Sequence, residues 1–180
     1  MTYVKDTATP WASWSGAARS FVFRLSKRAY QATRPSGVAV RPIFILGCGR
    51  SGTDLVAEHL NRSFQIKLYN ESDPAVFVNW RLIGLDVVES LTANSRSDVV
   101  LFKPIVETYR ARELLDQFAD GKVLFVFRHY NDVITSSVRF YGDKTIRRRA
   151  EKWRESGFSV FLRALPEPVK GEMVELANAS

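Results

Sequence analysis

The chain has 180 residues, a formal net charge of +7, 46% apolar and 25% charged residues. That is enough for one domain with a real core, and the composition is neither disordered nor collagen-like. The single cysteine, Cys48, excludes an intramolecular disulfide, and with only two separated histidines no zinc site of usual spacing can form; a reducing, cytoplasmic setting fits.

In chain order, the basicity comes first. Residues 1–42 hold seven Lys/Arg against Asp6, whereas the remainder holds nineteen against eighteen acids. A nucleic-acid partner for the whole domain is disfavoured by that distribution. Trp11, Trp14, Ala18, Phe21, Leu25 and Ala29 recur at helical steps, with Arg19, Arg24, Lys27 and Arg28 largely off the stripe. This pattern predicts an amphipathic helix from about Pro10 to Gln31. Two readings stand: a helix lying on an anionic membrane surface, giving a peripheral contact, and a helix packed on its own domain or a partner, which is the more ordinary. Charges break the stripe too often for a secretory signal. No apolar run approaches the roughly 20 residues of a membrane span.

"RPSGVAVRP" (Arg34 to Pro42) reads as a linker, so residues 1–41 form an arm and 42–180 the main domain. Strands are predicted at Ile43–Leu46, Ile66–Tyr69, Val99–Phe102 and Lys122–Phe127. Helices are predicted at Thr53–Arg62, Pro74–Leu82 with a continuation near Leu85–Ala93, Glu107–Phe118, Asn131–Tyr141 and Lys144–Leu165. Short β-branched runs alternating with helices argue an α/β domain: a parallel sheet with helices on both faces, in three layers.

The first strand runs into "GCGRSGTDLVAEHL". Gly47, Gly49 and Gly52 allow a tight turn whose N–H groups point inward, and the helix starting near Thr53 adds its positive end. Arg50, Ser51 and Thr53 add a charge and two hydroxyls, a set that suits phosphate or sulfate. A triphosphate loop reads G-x-x-x-x-G-K-[ST]; here Thr53 follows Gly52 directly and the lysine is missing.

The stretch resembles the 5′-phosphosulfate loop of sulfotransferases that use 3′-phosphoadenosine 5′-phosphosulfate, which typically reads [KR]-S-G-T-T. The resemblance implies a P-loop-like fold, that nucleotide as co-substrate, and no metal. Asp54 stands where the family has a second threonine; it suits a helix start, and the expectation is that it faces away from the loop. "KVLFVFRHYNDVITSSVRFYG" supplies a second motif. In the family an arginine at a strand end and a serine eight positions later bind the 3′-phosphate, and Arg128 and Ser136 have that spacing; Tyr130 replaces a usual proline.

Sulfuryl transfer to a hydroxyl needs a base, cations on the leaving phosphate, and alignment. The resemblance places Arg50 at the position of a catalytic cation, where arginine acts electrostatically. Glu71, after the second strand, is a candidate base by location, and a solvated loop glutamate is the equal alternative. His59 and His129 are competitors. Lys103, at the third strand's end before Pro104, matches family lysines that contact the sulfuryl group; a solvated lysine is again the alternative. Cys48 reads as a small filler in the loop. Arg147, Arg148 and Arg149 point three ways around a helix and read as a solvated face.

The expected function is sulfuryl transfer to a hydroxyl of a small molecule, carbohydrate or lipid. Alternatives are a P-loop kinase or nucleotide hydrolase, disfavoured by the missing lysine, and a catalytically silent nucleotide-binding or membrane-associated module. Family members run on well beyond this length, so a compact variant, a C-terminal truncation and a half-site completed by a partner all stay open, as does the oligomeric state.

Overall fold

The structure is a computed structural model that describes residues 16–35 and 40–155. Trp11, Trp14, part of the expected linker and the predicted helical residues 156–165 lie outside the described residues. Six helices and six strands follow in the order α1 (Gly16–Ala32), β1 (Arg41–Gly47), α2 (Thr53–Leu60), β2 (Ile66–Tyr69), β3 (Phe77–Val78), β4 (Arg81–Leu82), α3 (Leu85–Ala93), β5 (Val99–Phe102), α4 (Ala111–Gln117), β6 (Lys122–Val126), α5 (Tyr130–Tyr141) and α6 (Asp143–Glu155). A 3₁₀ turn over Ile105–Arg110 leads into α4.

The main sheet is parallel throughout, ordered β2-β5-β1-β6. Its register, Phe44 opposite Phe102 and Val123, sets the side chains of neighbouring strands on common faces. Phe44, Leu46, Val100 and Phe102 point to one face, under Val88 of α3 and Leu114 of α4. Ile45 and Leu101 point to the other, under Ala57 of α2. Of these nine residues eight are fully buried and Ala57 is 2% exposed, and each large apolar side chain so placed contributes about 1.5–3 kcal/mol relative to exposure. Continuous apolar strands thus need cover on both sides, and the three layers follow.

The segment Pro74–Leu82 is not a helix. Phe77–Val78 and Arg81–Leu82 form an antiparallel hairpin. Asn79 and Trp80, with φ of 51° and 67°, make the two-residue turn, the backbone that matches the twist of paired strands. Val76, Phe77 and Leu82 do enter the core, but Phe77 and Leu82 do so as partners across the hairpin and not along one helix face.

Helix α1 docks by the face opposite to the one its apolar stripe predicts. Phe21 and Leu25 are 56% and 48% exposed, whereas Lys27 is buried. The Lys27 Nζ donates to the Asn61 carbonyl (2.6 Å) and side-chain Oδ1 (2.7 Å), and Gln31 donates to the Phe64 and Ile66 carbonyls. Phe23 stacks on Phe64 at 5.4 Å. The connection between α2 and β2 presents carbonyl oxygens that need donors, so long polar side chains dock and the apolar stripe is left outward.

Burial lowers the Lys27 pKa to about 8. Between that value and the unfolded 10.5 the unfolded chain holds more protons, so stability should rise with pH across that window. Urea denaturation of the wild type and Lys27→Met tests this: the rise is expected in the former and absent in the latter.

Candidate functional site

The carboxyl ends of β1, β2 and β5 carry three segments that meet. β1 ends at Gly47, whose φ of 146° and close approach to β6 suit only glycine: a Cβ there would lie 2.2 Å from the Val126 carbonyl oxygen. Thr108, in the 3₁₀ turn, fixes this corner. Its Oγ1 accepts from the Gly47 N–H (3.0 Å) and lies 2.9 Å from the carbonyl oxygens of both Gly47 and Ile105, to one of which its single proton donates.

Past Gly47 the loop closes on itself. The Ser51 N–H and hydroxyl both donate to the Cys48 carbonyl, at 3.2 and 2.7 Å. Ser51 and Thr53 are buried, and Cys48 is exposed. The Ser51 hydroxyl expected as a ligand donor is thus committed to the turn. Gly52 takes a left-handed φ of 103° and leaves α2 without a side-chain cap, so the first N–H groups of the helix face the loop uncapped. Arg50 is also left-handed, at φ 69°, a conformation that costs an L-residue about 1–2 kcal/mol.

The strained backbone sends the Arg50 side chain across to α5. Its Nε donates to the Ser136 Oγ at 3.2 Å, and its guanidinium lies 4.4 Å from the centre of the Phe140 ring. The loop and the second motif are therefore in direct contact. Phe140 was missed in the sequence, although Ser136 and Phe140 are four apart and so share a helix face. Arg128 follows β6 and is half-exposed; its Nε lies 3.5 Å from an Asp132 carboxylate oxygen, and the hydroxyl of Ser136 is engaged by Arg50.

Lys103, just beyond β5, is the opposite case. Its side chain is 1% exposed, and its Nζ is bonded to Asp54 at the start of α2 and lies 2.8 Å from Glu71 Oε2. Its backbone N–H donates to the Tyr69 carbonyl, which brings the end of β2 and Glu71 within reach. A solvated lysine is thereby excluded, and so is a solvated Glu71, whose side chain is 12% exposed. Asp54 turns its carboxylate to Lys103. Glu71 Oε2 is held by the same ammonium as an ion pair. Burial raises the Glu71 pKa; the Lys103 charge opposes this and Asp54 adds to it.

Of the histidines, His59 is exposed on the last turn of α2, and His129 is exposed and stacks on Tyr130 at 4.6 Å. Arg147 pairs with Asp143 on the surface of α6. Glu107, also missed in the sequence, is buried where it accepts from the Leu82 N–H and from Arg110, tying the hairpin to the 3₁₀ turn. No family model, no curated protein and no solved structure matches this chain.

Two outcomes check this geometry. Gly47→Ala should destabilise the fold by more than about 1 kcal/mol, since the clash is with backbone, and a thermal melt unchanged from wild type would contradict it. For Glu71 the raised pKa means that its neutral form favours the fold. That contribution is present below the ordinary value of 4.5 and is lost as pH rises through the folded value. Glu71→Gln, neutral throughout, should therefore gain stability relative to wild type as pH is raised from about 4 to about 8; urea midpoints that run parallel would refute it.

Proposed function

We propose that this chain transfers a sulfuryl group from 3′-phosphoadenosine 5′-phosphosulfate to a hydroxyl of a small molecule, carbohydrate or lipid, on a P-loop-like frame. The observation that carries the reading is the contact of Arg50 with Ser136, which joins a lysine-free phosphate loop to the second motif the resemblance requires. The residues present fit an anionic nucleotide. The uncapped start of α2 and Arg50 offer donors for a 5′-phosphosulfate, and half-exposed Arg128, between β6 and α5, with Ser136 inside α5, offers a cation for a 3′-phosphate.

In this reading Glu71 takes the proton of the acceptor hydroxyl, as its raised pKa favours. The acceptor oxygen forms its bond to sulfur while the bond from sulfur to the bridging phosphate oxygen breaks, and the electron pair leaves with the phosphate. Arg50 neutralises that developing charge. Lys103 holds Glu71 and Asp54 in place and offsets their repulsion.

The lone alternative with an observation behind it is a silent binding module, because Lys103 is sealed between two carboxylates. Calorimetry with 3′-phosphoadenosine 5′-phosphate, set against ATP with magnesium, should show binding of the first. Binding of ATP alone would reject the proposal. Arg128→Ala should weaken the 3′-phosphorylated nucleotide and spare its 5′-phosphate-only analogue. Glu71→Gln should lower turnover by roughly 10²–10⁴-fold while leaving nucleotide affinity nearly intact. Binding without product across an acceptor screen would select the silent module.

A further inference from the structure

Away from the loop, a groove of about 290 Å³ lies between the last turn of α1, the outer strand β2 and the segment leading into β5. Arg28, Lys67 and Arg96 line it, together with Gln31, Asn94 and Ser97, and no carboxylate does. The nearest acid in sequence, Asp98, is already paired with Arg34. Arg96 is held in place by donating to the Ala32 carbonyl at the end of α1 (2.8 Å), and the Lys67 ammonium stands 4.6 Å from the Tyr69 ring. Ser97 is 2% exposed, and its hydroxyl has no hydrogen-bond partner among the described residues. Three cations and an unsatisfied buried hydroxyl facing one groove are the donor set for a phosphate oxyanion.

The source of that oxyanion is indicated by α1. At about 100° per residue, Phe21, Leu25 and Arg28 fall within about 60° of one another, so Arg28, unlike Lys27, belongs to the stripe and not off it as expected from the sequence. Phe21 and Leu25 are 56% and 48% exposed, because the helix docks by its polar face. An outward apolar strip that ends in a cationic groove matches a bilayer surface, where apolar side chains enter the acyl boundary and cations meet the phosphates. Among the described residues no helix is long and apolar enough to cross a membrane, so the contact would be peripheral.

We propose that this groove and the Phe21–Leu25 strip form a second anion site, distinct from the glycine loop, that seats the phosphomonoester headgroup of an anionic lipid. The test is co-sedimentation of the full chain with vesicles of phosphatidylcholine alone or with about one-fifth phosphatidic acid, alongside calorimetry with inorganic phosphate. Binding should require phosphatidic acid. Arg28→Gln and Lys67→Gln should each weaken it roughly fivefold, and Phe21→Ser with Leu25→Ser should abolish it. All these side chains sit at the surface or groove lip, so a melting temperature near wild type is expected and is measured on each variant. No preference for phosphatidic acid, or a preference untouched by the groove variants, would overturn the proposal. Inorganic phosphate binding that needs Arg28 and Lys67, without vesicle binding, would overturn the lipid source and assign the groove to a free anion.

Discussion

A lysine ammonium removed from water needs anions close by, and at the end of β5 that requirement organises the site. Lys103 is sealed from solvent, and only Asp54 and Glu71 compensate it. Losing both partners, or the lysine itself, would leave buried charge without a counterion, which costs several kcal/mol. The start of α2 and the turn after β2 are therefore bound to the strand between β1 and β2. The two carboxylates also repel one another across the ammonium, and burial disfavours the charge on Glu71. One cation thus fixes the position of the loop helix and partly offsets the burial that raises the pKa of the candidate base.

The loop itself is shaped by a different constraint. β1 lies between β5 and β6, and its last residue is pressed against the Val126 carbonyl. Only a glycine passes there, and Thr108 holds its peptide on the far side. Downstream, Ser51 ties back to Cys48, and the left-handed backbone of Arg50 aims its side chain at α5. Local strain at Arg50 is thus coupled to a contact that bridges two distant motifs, which is where strain is usually retained.

Much of this was legible in the sequence. Short apolar runs located the four main strands to within two residues at each end; for the central β1 and β5 this is because a strand buried on both faces must be nearly continuously apolar. The glycine loop was legible because its backbone demands particular residues. Pro74–Leu82 was misread since a short apolar run does not distinguish a period of two from 3.6, and the turn signal was a single Asn79 before a tryptophan that is unusual at positive φ. The docking face of α1 was not legible: hydrophobicity alone says nothing of the carbonyls on the surface it meets. Lys103, Asp54 and Glu71 lie far apart in sequence, and only the parallel register brings them together. Nothing local to Lys103 distinguishes it from a solvated strand-end lysine.

The two halves of the site rest on unequal foundations. Gly47, Arg50 and Lys103 stand on β1 and β5, whose inner residues are fully buried. Arg128 and Ser136 follow β6, the outer strand, where Phe125 is 56% and Phe127 83% exposed, and α5 contains no buried residue. Elements so thinly packed open at low free-energy cost. A molecule that touches both halves would act as a brace as well as a ligand. Part of its binding energy would be consumed in holding α5 against the loop, so its affinity would report the order of that helix as much as the strength of the contacts it makes.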